Sequence, residues 1–190
     1  MIFSWNPHLN DIAIVLYKWL EGDNADKAEK YGDQLYTLRR HMPEEVFKIP
    51  FIAGSTLYRV MLVQDEVLDR CINEHKPIIL KNREYSSWTY FPRAAEDFGF
   101  DLEEPGFTLT IFHLETSEWH SFEIINILRL LEFLISKDVR GAESHKANYE
   151  SEREIVLRNT SKSFEFRRDN IYEYRDAQDN WSHWRELIKR

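Results

Sequence analysis

The chain has 190 residues, a formal charge of −8 and a pI near 5.4. That length suggests one domain with enough interior to bury a core. With 43% hydrophobic and 14% aromatic residues, the chain is globular rather than disordered. The acidic balance argues against a broad nucleic-acid-binding face. The single cysteine, Cys71, excludes an internal disulfide framework and suits a reducing cytoplasm. Met1–Pro7 shows no basic n-region and no apolar run of signal length, so no signal peptide is expected.

In chain order, Leu9, Ile12, Val15, Leu16, Trp19 and Leu20 share one face of a first helix. Gly22 and Asn24 break it, and Asn24 is placed to cap a second helix over Ala25–Arg40 that Met42-Pro43 ends. From residue 49 the texture changes. Phe51–Gly54 reads as a loop or strand entry, Thr56–Leu62 alternates as a strand, and Asp65–Asn73 is a short helix closed by Lys76-Pro77. Pro77–Lys81 is another strand and Tyr85–Tyr90 a polar, aromatic strand or turn. Pro92 opens a short helix that Gly99 ends. Phe107–Leu114 alternates again. The longest apolar run, Phe122–Ile135, carries Glu123, Asn126, Arg129 and Glu132 three residues apart. It is too short and too charged to span a membrane and reads as a core helix with one polar stripe. Ser163–Arg167 and Ile171–Tyr174 are short strands. Trp181, Trp184 and Leu187 sit at helical spacing in the tail. The fold class is α+β in a single domain 1–190: a helical part over 1–48, a β-rich core over 49–175 and a C-terminal helix over 176–190.

Three polar segments stand out. Tyr149–Leu157 places Glu150, Glu152 and Glu154 at alternate positions before an apolar β-branched run. On an extended strand they would lie side by side and raise one another's pKa values. Arg59 sits in the apolar strand Leu57-Tyr58-Arg59. Ser87 and Thr89 put two hydroxyls on one face of Ser87-Trp88-Thr89. Read singly, Arg59 is a strand arginine paired with some acid, Ser87 and Thr89 are strand-edge residues, and the glutamates are a solvated face. The seven histidines show neither i, i+4 pairing nor cysteine partners, so no metal site is expected.

Taken in order, Tyr58-Arg59, the run Ser87-Trp88-Thr89 through Ala95 and Phe98, and Glu152-Arg153-Glu154 before Ile155-Val156-Leu157 resemble the arginine–serine–glutamate class of mono-ADP-ribosyltransferases. That class includes clostridial binary toxins and T4-type phage enzymes. The resemblance spans about residues 49 to 170 and departs from the pattern at Val60 and Trp88. It implies a split β-sandwich with N-terminal helices, NAD as substrate without a Rossmann fingerprint, and nicotinamide release.

By the same resemblance, Glu154 takes the ribose 2′-hydroxyl and Glu152 the acceptor. Arg59 takes the NAD phosphates, Ser87 the rotamer of Glu154, Thr89 the strand, and Phe98 the nicotinamide end. A glutamate at position 152 implies a target protein with an acceptor arginine. A phage-like intracellular effector, without nucleic-acid or membrane partners, is the expected setting. Two alternatives remain open: an NAD glycohydrolase, and an inactive member that binds a partner protein.

Overall fold

The computed structural model describes residues 7–21, 25–48, 56–81, 85–99, 104–115, 122–159, 163–175 and 181–183. Two helices, α1 (Leu9–Leu20) and α2 (Ala25–Leu38), lead through two 3-10 turns into β1 (Thr56–Gln64), α3 (Asp65–Glu74), β2 (Ile78–Lys81) and β3 (Tyr85–Thr89). There follow α4 (Pro92–Gly99), β4 (Phe107–Glu115), β5 (Phe122–Asn126), α5 (Ile127–Ile135) and α6 (Ala142–Tyr149). The chain continues through β6 (Glu154–Asn159), β7 (Ser163–Phe166), β8 (Ile171–Arg175) and β9 (Trp181–His183). The expected Asn24 cap and the Phe51–Gly54 segment lie outside the described residues.

The architecture is mixed helix and antiparallel sheet. Seven strands form one sheet in the order β5-β6-β3-β1-β4-β8-β9, and β2 pairs with β7 in a second. Strand alternation divides the large sheet between two cores. Ile125, Val156 and Tyr85 face Ile12, Leu16 and Leu35 of the N-terminal helices and Leu130, Leu131 and Leu134 of α5. Leu57, Trp88, Phe112, Ile155 and Leu157 face the small sheet through Ile78, Phe164 and Phe166, and α3 through Leu68 and Cys71. The helices, the large sheet and the small sheet with α3 therefore stack as three layers. On the helical side, α2 comes so near the sheet that a Cβ at Gly32 would lie 2.5 Å from Tyr85 Cγ. The phenols of Tyr17 and Tyr149 tie α1 to the α6 region, through the Arg140 and Leu20 carbonyls.

The structure corrects the sequence reading in three places. Phe122–Ile135 is not one helix. Phe122–Asn126 is a strand paired with β6, and the helix begins at Ile127. Asn126 is the hinge: its backbone is extended and its Oδ1 accepts from the Arg129 N–H at 3.1 Å, capping α5.

The three alternate glutamates do not share a strand either. Glu150 caps α6, Glu152 lies in the following turn, and only Glu154 is in β6. The helix uses up the backbone donors that a longer strand would have needed, since the Glu150 N–H donates to the Lys146 carbonyl. In the tail, Trp181–His183 is an edge strand whose ladder partners are on β8, not the start of a helix. Trp184 and Leu187 lie outside the described residues.

Candidate active site

Tyr58, Thr89 and Glu154 form one row across three adjacent strands. Thr89 ends β3 opposite Glu154, which begins β6, and Thr89 also faces Tyr58 of β1. Among the described residues that is the one paired position between β1 and β3. Arg59, the neighbour of Tyr58, bridges the same two strands: its Nη1 donates to the Ser87 carbonyl at 2.9 Å, with the guanidinium 6.0 Å from the Trp88 ring centroid. Trp88 itself is a core residue, 2% exposed, and its indole N–H is satisfied by Ser86 Oγ at 2.9 Å. Its size thus serves the core facing the small sheet. Ser87 and Thr89 project to the other side.

Glu154 is 7% exposed, an expensive place for a carboxylate. Trp19 Nε1–H of α1 donates to its Oε1 at 2.9 Å. The Ser87 hydroxyl is a second donor, and the Arg59 charge attracts it. Burial still outweighs these three and raises its pKa. Glu152, partly buried, is pushed up to about 7, first by desolvation and then by the charge of Glu154. Glu150 is exposed and stands apart from this pair.

The turn carrying Glu152 is held in a costly conformation. Arg153, between the two carboxylates, has φ 49°, a left-handed backbone that costs a non-glycine residue on the order of 1–2 kcal/mol. Three contacts fix it. Thr89 Oγ1 donates to the Glu152 carbonyl at 2.7 Å, the Glu152 N–H reaches the Tyr149 carbonyl at 3.2 Å, and the Arg153 guanidinium lies 5.2 Å from the Phe91 ring centroid. Thr89 therefore secures the Glu152 turn as well as its own strand.

Ser87, Thr89, Glu152 and Glu154 come together at the ends of β3 and β6, and Arg59 of β1 reaches them through the Ser87 carbonyl and through its charge on Glu154. Phe98 lies on α4, and its side chain is outside those described. Trp19 is the site residue that the sequence did not reveal. It reads as one more apolar position on a helical face, and 135 residues separate it from its acceptor.

Trp19→Phe keeps the ring packing and deletes the donor, so the Glu154 pKa is expected to rise further. A carboxyl-carbon NMR titration checks this. A midpoint unchanged from wild type would show that the indole N–H does not hold the charge.

Among the described residues, no group of three or more His, Cys, Asp or Glu is arranged to hold a metal ion, and no helix is long and apolar enough to cross a membrane. Comparison with known proteins finds no family model that matches the chain and no curated protein sequence similar to it.

Proposed function

We propose that this chain is an NAD-dependent mono-ADP-ribosyltransferase that modifies a protein side chain, with arginine as the acceptor. The observation that carries the reading is the pair at the start of β6. Glu154 is buried, takes hydrogen bonds from a hydroxyl and an indole N–H and feels the charge of Arg59, and Glu152 beside it has a pKa moved to about 7. Two carboxylates with perturbed pKa values and different surroundings are what acid–base division of labour requires. The three-layer arrangement also suits the split sandwich of that enzyme class.

In this mechanism the bond between the ribose C1′ and the nicotinamide nitrogen breaks, and its electron pair leaves with nicotinamide. Positive charge develops on the ribose, as in glycoside cleavage. Glu154 accepts the ribose 2′-hydroxyl hydrogen bond and stabilises that charge. Ser87 and Trp19 hold its carboxylate in one orientation, so little reorganisation is needed. Arg59 directs its guanidinium charge at the diphosphate. Glu152 pairs with the incoming guanidinium and takes the proton it loses as its nitrogen bonds to C1′. Phe98 keeps its place at the nicotinamide end on the strength of the resemblance alone.

Glu152→Gln separates transfer from hydrolysis. With NAD labelled in the adenylate part and a cell lysate, the variant is expected to lose protein labelling by about 10²-fold while still releasing nicotinamide. A carboxylate with a raised pKa is protonated below that value and becomes a base above it. The wild-type ratio of transfer to hydrolysis should therefore climb as pH rises through about 7, and the variant ratio should stay low and flat. Release of free ADP-ribose at a rate indifferent to added protein, in wild type and variant alike, would instead identify a glycohydrolase.

A further inference from the structure

We propose that the cavity between the C-terminal end of α2 and β5 is a second binding site, one that takes a planar apolar anion such as an aromatic carboxylate. The cavity measures about 590 Å³, within the range that holds small organic ligands. Its apolar walls come from Tyr36, Met42, Phe47 and Ile124, and its polar rim includes Arg39 and Arg40. Two carboxylates, Glu44 and Glu123, also reach it, but both are committed. Glu123 receives Arg39 and Arg158, and Glu44 is held by Lys48 at 2.8 Å. The Tyr36 ring is fixed by the same network, with the Arg39 and Arg158 guanidiniums 5.9 and 5.4 Å from its centroid.

Arg40 is the exception. Its Nε donates to His41 Nε2 at 3.0 Å, and no carboxylate pairs with its guanidinium among the described residues. The charge left over at the rim is therefore positive. A guanidinium fork beside a flat apolar wall matches a carboxylate or similar anion carried on a planar body. The site shares no residue with the Arg59–Ser87–Glu154 cluster. Arg158, which anchors its network, is four positions along β6 from Glu154, about 13 Å at the usual strand rise. The cavity is therefore independent of the transferase site.

The test is an NMR titration of the isotope-labelled full chain with 1-naphthoate and, separately, with the uncharged 1-naphthalenemethanol. Saturable shifts are expected at Tyr36, Arg40 and Ile124 for both, with naphthoate bound about tenfold more tightly, the worth of one charge-assisted contact near the surface. Arg40→Gln, an exposed change, should bring naphthoate down to the affinity of the alcohol and leave the alcohol unaffected. Absence of saturable shifts at these residues would overturn the proposal. So would equal affinity for the two probes, or naphthoate binding indifferent to Arg40→Gln.

Discussion

Glu154→Gln is expected to lower ADP-ribose transfer by about 10³-fold, the upper range for removing one preorganised stabilising group, while leaving the fold as stable as wild type or more so. The two effects have one cause. Glu154 has a folded-state pKa raised above its ordinary value, chiefly by burial. For such an acid the folded state disfavours the charged form. Stability contributed by this group is full below the unfolded pKa and falls as pH rises toward the folded one. Glutamine carries no charge to bury, and its Oε1 can still accept from Trp19 while its amide faces Ser87. Thermal unfolding across the acid-to-neutral range should show wild type losing ground to the variant as pH rises. A carboxylate kept only for structure predicts the reverse, with the variant melting earlier and no activity to lose. On the proposed function, the burial of Glu154 is stability given up for a charged group.

Arg59→Lys should raise the KM for NAD by about 10–100-fold with a smaller fall in kcat. One Nη bridges β1 and β3 by donating to the Ser87 carbonyl at 2.9 Å, and on the proposed function the same guanidinium also meets the diphosphate. A lysine ammonium is a point charge on a flexible stem and cannot meet both geometries at once. The substitution also leaves the Ser87 carbonyl without its donor, so Ser87 and hence Glu154 lose some of their orientation. Initial rates against NAD concentration measure the effect. A KM unchanged within twofold would remove Arg59 from the phosphate-binding role and leave it as a strand linker.

Local pattern carried much of the fold. Strand β4 alternates in sequence although Leu109–Phe112 is buried on both faces. The apolar face of α1 is readable because that helix buries one side, and burial of one side forces periodicity. Phe122–Ile135 failed for the converse reason. Strand β5 and helix α5 are both largely buried, so their junction is a continuous apolar run in which neither period shows. The only local sign of the break is Asn126, a good cap that also fitted a three-residue polar stripe.

The glutamate run misleads because alternate carboxylates fit a helix end and a turn as well as a strand. The helix α6 ahead of it, with little amphipathic character to announce it, uses up Glu150. Within the site, the residues on β1, β3 and β6 were legible because polar groups in short apolar strands need an explanation. Trp19 was not legible. An indole on an apolar face satisfies the helix pattern completely, and its hydrogen bond is a tertiary event between α1 and β6. The helical layer consequently does more than cover the sheet, since it supplies one of the donors that fixes Glu154.

Nicotinamide release tests the central claim most directly, because it reads cleavage of the C1′–nitrogen bond without requiring the target protein to be known. Purified wild-type protein incubated with NAD is expected to release nicotinamide slowly by hydrolysis, and faster with a lysate or a simple guanidine acceptor added. Glu154→Gln, folded by its melting curve, should release none above background. Equal nicotinamide release by wild type and Glu154→Gln, or none by wild type under any of these conditions, would contradict the assignment of Glu154 to this chemistry.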